Sequence, residues 1–147
     1  MKRLPDYLAV LHEVLKKQPE FSVSFRGVTS SPEAVMIQGY PVGTTLAQIR
    51  EDLRTTLTAR GIGECLDRRY KIVTAHLTVA RYFTTMDDWR PLKSLLAANR
   101  QRDFGTTCFR SLQLIEGDWY ASMDSVRTLQ EFPLNNLSAN GSVGHLG

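Results

Sequence analysis

The run Ala75-His76-Leu77-Thr78-Val79-Ala80-Arg81 sets an imidazole and a hydroxyl two positions apart in a stretch of strand-forming residues. Side chains alternate faces along a strand. His76 and Thr78 therefore share one face, and Leu77 and Val79 share the other. The apolar face can bury, while the other presents a proton-transfer group beside a hydrogen-bond donor. Imidazole titrates near neutrality without help from its surroundings. Beside a hydroxyl, it suits an anionic oxygen substrate such as a phosphate. The same triplet also occurs as plain strand residues with a surface or hydrogen-bonded histidine, and both readings stand on these residues alone.

The neighbours extend the pattern. Strict alternation puts Arg81 on the Leu77/Val79 face. Its guanidinium reaches a phosphate beside His76 only if the strand ends or bulges there; otherwise it pairs with a surface acid such as Asp87. Tyr82 returns to the His76 parity and can stack on a base or pack at the strand end. Tyr40 and Tyr70 carry the same two readings. Arg68-Arg69 and Arg26 are cations that can lead a phosphate chain inward or stay solvated. Trp89 and Trp119 read as packing residues. Of the other histidines, His12 lies in a helical pattern and has Val14 where a hydroxyl is needed, and His145 lies near the C-terminus. One imidazole is left for chemistry. No metal-ligand spacing is present, and no metal or cofactor is expected.

The run resembles the His-x-Thr-x-x-Arg motif of the 2H phosphoesterase superfamily. That superfamily includes the bacterial RNA 2',3'-cyclic phosphodiesterases, also called the 2'-5' RNA ligase family. Its members carry two His-x-Thr/Ser motifs, one in each half of a bilobal fold, with both histidines facing one phosphate. This chain shows one such motif, and the element order matches over nearly all of residues 4–134. The resemblance implies a metal-independent hydrolase acting on an RNA 2',3'-cyclic phosphate end or a 2'-5'-linked nucleotide. It gives His76 an acid/base role and Thr78 the holding of a phosphate oxygen. It also makes Arg81 and Tyr82 substrate contacts.

Opening a cyclic phosphate needs a base to activate water and an acid to protonate the leaving oxygen. With one motif, the chain is expected to be weak or inactive as given. The strand bearing the first motif is expected upstream of Met1, which leaves a LigT-like fold incomplete at its N-terminus. The resulting sheet edge beside the motif strand is expected either to be covered, by a second copy of the chain in a homodimer or by a swapped segment, or else to be disordered. Two other readings stay open: a non-catalytic nucleotide- or RNA-binding relative, and a plain interaction domain in which His76 is structural.

Composition sets the outer bounds. With 147 residues, 42% hydrophobic and 22% charged, the chain reads as one soluble globular domain. A net charge of +3 permits an anionic partner without demanding one. Arginine, which outnumbers lysine here, can grip phosphate in a bidentate way. Cys65 and Cys108 lack metal spacing and read as reduced thiols. The N-terminus has no apolar stretch of signal-peptide type, and no apolar run is long enough to span a membrane. A cytoplasmic location is expected.

The elements that must position His76 follow from spacing and punctuation. Pro5 and Asp6 open a helix with Leu8, Leu11 and Leu15 on one side, closed by Pro19. Phe21, Val23 and Phe25 alternate as a strand. Gly27 and Thr29-Ser30-Ser31-Pro32 read as a turn, and residues 34–37 as a strand ended by Gly39 and Pro41. Thr45 and Gln48 form a capping-box pattern ahead of a helix with Leu46, Ile49, Leu53 and Leu57 buried, ended by Gly61 and Gly63. Residues 70–82 form the motif strand. Asp87 or Asp88 caps a third helix that buries Leu92, Leu95 and Leu96. Strands over 106–115 and 126–134 are joined around Gly117-Asp118. These elements predict an α+β fold over 1–134, with antiparallel sheets flanked by helices, and a flexible tail over 135–147.

Overall fold

The computed structural model describes residues 3–64, 66, 73–84, 87–118 and 125–136. Cys65, Arg68, Arg69, Tyr70, Trp119 and His145 lie outside them. The fold is α+β. Its elements are α1 (Leu4–Leu15), β1 (Phe21–Ser30), β2 (Ala34–Val42), α2 (Thr45–Ala59), β3 (Ala75–Arg81), α3 (Arg90–Ala98), β4 (Asp103–Phe109), β5 (Ser111–Glu116) and β6 (Arg127–Pro133). They gather into two compact units. One holds Met1–Phe21, Thr44–Lys71 and Phe109–Gly147; the other holds Ser22–Gly43 and Ile72–Cys108.

In the first unit α1 packs on α2 and touches β6. Proline in its first turn and Asp6 near its positive end favour the start of α1. Its buried side is wider than the leucine spacing predicts: Val10, Val14 and Leu15 are buried, and Leu8 and Leu11 are half-buried. Ile49 and Leu57 supply the buried positions of α2. The predicted capping box is not formed. Thr44 is the N-cap residue and makes no side-chain cap bond, and the Gln48 side chain turns instead to Asp52, at 2.7 Å.

That turn completes a polar bridge. Gln18, buried, donates its Nε2 to the other Asp52 oxygen at 2.7 Å. A buried donor stripped of its acceptor costs about 1–3 kcal/mol. Asp52→Ala is therefore expected to lower unfolding stability by about that much, read as a lower urea midpoint. An unchanged midpoint would mean that the bridge is ornamental.

β5 and β6 pair antiparallel from Ser111↔Pro133 to Glu116↔Arg127. Phe132 and Leu134 are buried, and the His12 ring stands edge-on to Phe132 with centroids 4.9 Å apart. His12 thus sits on a helix as its spacing predicts. Asn135, the first residue of the expected tail, is tied down. Its backbone N–H donates to the Gln18 carbonyl at 2.8 Å, and its side-chain amide donates to the Lys16 carbonyl at 2.8 Å. Residues 137–147 lie outside the described set.

The second unit is built on an antiparallel sheet of order β3-β2-β1-β4. Phe21, Val23 and Phe25 are buried, as their alternation predicts. The strand does not stop there. Gly27, at φ +79°, forms a bulge between Phe25 and Val28, and β1 continues to Ser30. The turn is shorter than predicted and is built on Ser31. Its hydroxyl accepts the N–H groups of Glu33 and Ala34, at 3.2 and 3.1 Å. β2 likewise runs through Gly39 and Pro41. Gly39 is glycine because a Cβ there would sit 3.0 Å from both the Ala75 Cβ and Val23 Cγ1. Pro41 lies past the last described pair with β3, Gly39↔Ala75, where β2 is paired on the β1 side alone.

Two further differences concern the C-terminal half. The predicted strand 106–115 is two strands: β4 joins the four-stranded sheet, and β5 pairs with β6. In α3, Leu92 and Leu96 are half-buried, but Leu95 is exposed because a single side of this nine-residue helix is covered. The predicted aspartate cap is displaced: Trp89 holds the N-cap position without a side-chain cap bond, and Asp88, one residue earlier, accepts the Arg90 N–H at 2.9 Å. The Arg90 side chain, then its backbone N–H, hold the Asp88 carboxyl below its usual value. That contribution is present above the ordinary aspartate range and is lost as pH falls through the lowered one. Among the described residues, no helix is long and apolar enough to cross a membrane.

Candidate functional site

The pairing of β2 with β3 decides which side chains share a face. Directly opposed residues in a ladder point to the same side. Gln38 opposes His76, Met36 opposes Thr78, Val35 opposes Ala80 and Ala34 opposes Arg81. Between the second and third of these pairs β2 advances one residue and β3 advances two, so Val79 is the extra residue of a bulge. β2 itself stays in step: Ala34, Met36, Gln38 and Tyr40 lie on one face and Val35, Ile37 and Gly39 on the other. His76, Thr78 and Arg81 therefore occupy the same face. His76 and Thr78 are exposed, roughly 7 Å apart along the strand, and Arg81 is half-buried.

Strict alternation puts Arg81 opposite His76 and Tyr82 beside it. The bulge, one of the two arrangements left open for Arg81, brings Arg81 to the His76 face and moves Tyr82 off it, which corrects the placement expected for Tyr82. The Tyr82 hydroxyl lies 3.0 Å from Ser30 Oγ, and its ring meets Trp89 edge-on with centroids 5.5 Å apart. Ser30 opposes Val35, on the other face from His76. Tyr82 is thus a packing residue of the reverse face. The burial expected for Leu77 and Val79 is also not found: they are 45% and 55% exposed, because β3 is an edge of the described sheet.

β1 completes the polar face. Ser24 opposes Tyr40 and Thr29 opposes Met36. Val23 and Phe25, buried, point the other way, so the His76 face is the one turned from these core side chains. A cavity of about 350 Å³ opens on it, lined by His76, Thr29, Gln38, Tyr40 and Thr74 among others. The Tyr40 hydroxyl donates to Gln38 Oε1 at 3.3 Å. The Arg26 guanidinium carbon stands 5.4 Å from the centre of the Tyr40 ring. The His76 imidazole makes no hydrogen bond to the described residues and is open to a ligand.

Chemically, the face offers an imidazole at His76, hydroxyls at Thr78 and Thr29, and a guanidinium at Arg81. Tyr40 adds an aromatic surface at 44% exposure. Spacing along one strand can point to His76 and Thr78. It cannot point to Gln38 or Thr29, which reach the cavity through strand pairing alone. Of the aromatics named from sequence, Tyr40 lines the cavity and Tyr82 does not.

A solved structure shares this fold. It is TT0787 of Thermus thermophilus, which matches over 92% of this chain and 72% of its own, with a TM-score of 0.62 and 19% sequence identity. At that identity the likeness concerns fold alone. No family profile matches the chain, and no curated protein matches it.

Proposed function

We propose that the His76 face binds the 2',3'-cyclic phosphate end of an RNA or a nucleotide, in the manner of a 2H-type phosphoesterase. The observation that carries this reading is the bulge at Val79, which brings the arginine of His-x-Thr-x-x-Arg to the side of its histidine and threonine. An anion there meets a hydroxyl donor and a guanidinium, the group best suited to phosphate oxygens. A nucleobase extending from it meets Tyr40, whose ring offers a stacking surface. His76 then serves as one proton-transfer group for hydrolysis.

A second reading has its own support. The unit holding this face contains one histidine, and hydrolysis of a cyclic phosphate uses both a base and an acid. The chain as given then works chiefly as a binder, with slow turnover. Calorimetry with a nucleoside 2',3'-cyclic phosphate, run beside a hydrolysis assay, separates the two. Binding with little or no turnover supports the binder; turnover at an ordinary enzymatic rate supports the hydrolase. Absence of binding at millimolar ligand removes both. In either case Thr78→Ala is expected to weaken binding about tenfold, the order of one hydrogen bond to a charged group, as read by the same calorimetry.

A further inference from the structure

A second and larger cavity, about 470 Å³, lies in the same unit and is lined by Val28, Thr29, Ser30, Gln38, Lys93, Leu96, Ala97 and Arg100. Thr29 and Gln38 line both cavities, so the two adjoin at these side chains. Lys93, Ala97 and Arg100 follow at helical spacing, one stripe of α3 and the turn after it. Two cations thus border a space that is also lined by Thr29 and Gln38 of the His76 face. Neither cationic side chain has a partner among the described residues.

Arg100 is also held in place. The carbonyl of Arg100 lies 2.6 Å from where a Cβ on Gly27 would be, so the chain there rests directly on the β1 bulge. The flanking carbonyls of Asn99 and Arg102 accept the N–H groups of Val28 and Gly27, at 3.1 and 2.8 Å. The backbone that carries this guanidinium is locked to the sheet beside the shared wall of the cavities.

We infer that this second cavity is a subsite for a further phosphate of the same ligand, the phosphodiester that precedes the cyclic end in an RNA strand, held by Lys93 and Arg100. It rests on the reading of the His76 face given above and makes an oligonucleotide, rather than a mononucleotide, the preferred ligand. The stacked aromatic, the cyclic-phosphate face and the cationic pocket then follow one another along a single strand of RNA. Contacts of this kind are electrostatic and weaken as salt rises.

The test compares three ligands by calorimetry: a nucleoside 2',3'-cyclic phosphate, a trinucleotide ending in the same group, and that trinucleotide with uncharged methylphosphonate linkages. Each is measured on the wild-type chain and on Lys93→Gln/Arg100→Gln. Both side chains are exposed, and a circular-dichroism melt confirms that the variant folds. The trinucleotide is expected to bind about tenfold tighter than the mononucleotide at low salt. That advantage should vanish with the neutral linkages and in the double variant, while mononucleotide affinity stays the same. A trinucleotide that binds no tighter, or whose advantage survives in the variant, overturns the subsite and leaves the His76 reading standing. Failure of every ligand to bind overturns both.

Discussion

Changing His76 to alanine is expected to abolish hydrolysis of a nucleoside 2',3'-cyclic phosphate while leaving its binding within about threefold of wild type. The asymmetry follows from what each group supplies. On the proposed reading, Thr78 and Arg81 hold phosphate oxygens in the bound state and so contribute to affinity. On the same reading the imidazole moves a proton in the transition state, a contribution of about 10²–10⁴ in rate and little in ground-state binding. The measurement is single-turnover hydrolysis at enzyme concentrations above the ligand's Kd, beside calorimetry on the same protein. Equal rates for wild type and His76→Ala would assign any turnover to another group. A large loss of binding would make His76 a ligand-holding residue instead.

The largest expected effect on folding lies at Gly27. Its φ of +79° is a conformation that side chains with a Cβ adopt at a cost of about 1–2 kcal/mol. The Arg100 carbonyl 2.6 Å from the Cβ position adds a contact that no rotamer can relieve, since the obstacle is backbone and its neighbours are hydrogen-bonded on both sides. Gly27→Ala is expected to destabilise the chain by about 2 kcal/mol or more, read as a lower midpoint of urea unfolding. The same substitution at Gly43 is the control. That residue also has a positive φ but nothing within 4 Å of its Cβ position, so it should show the smaller, strain-only loss. Equal losses at the two sites would mean that the close approach to Arg100 carries no energy.

Legibility in the sequence follows the periodicity and fails where the periodicity breaks. Phe21, Val23 and Phe25 are readable because one face of a strand is buried and the period is two. His76 and Thr78 are readable for the same reason: both precede the bulge. Past Val79 the count is off by one, and a single extra residue reverses every later side chain. Nothing in the local sequence distinguishes a bulged β3 from a straight one, so alternation assigns Arg81 and Tyr82 to each other's faces.

Glycine misleads in a related way. Gly27 reads as a turn because glycine supplies positive φ, and a bulge uses that same freedom while keeping the strand going. Gly39 reads as a strand end, although it is the crowding by Val23 and Ala75 that excludes a side chain. The division between β4 and β5 is hidden because residues on both sides of Arg110 are strand formers, and only tertiary pairing separates them. Leu95 shows the reverse error: helical spacing marks a stripe, but the width of the covering layer decides which leucines are buried.

The central claim is that the bulge unites His76, Thr78 and Arg81 in one phosphate-binding face. The most direct test is the calorimetric Kd of a nucleoside 2',3'-cyclic phosphate for Arg81→Ala against wild type. Loss of a guanidinium–phosphate contact is expected to raise Kd about tenfold or more. An unchanged Kd would place Arg81 outside the site and contradict the account.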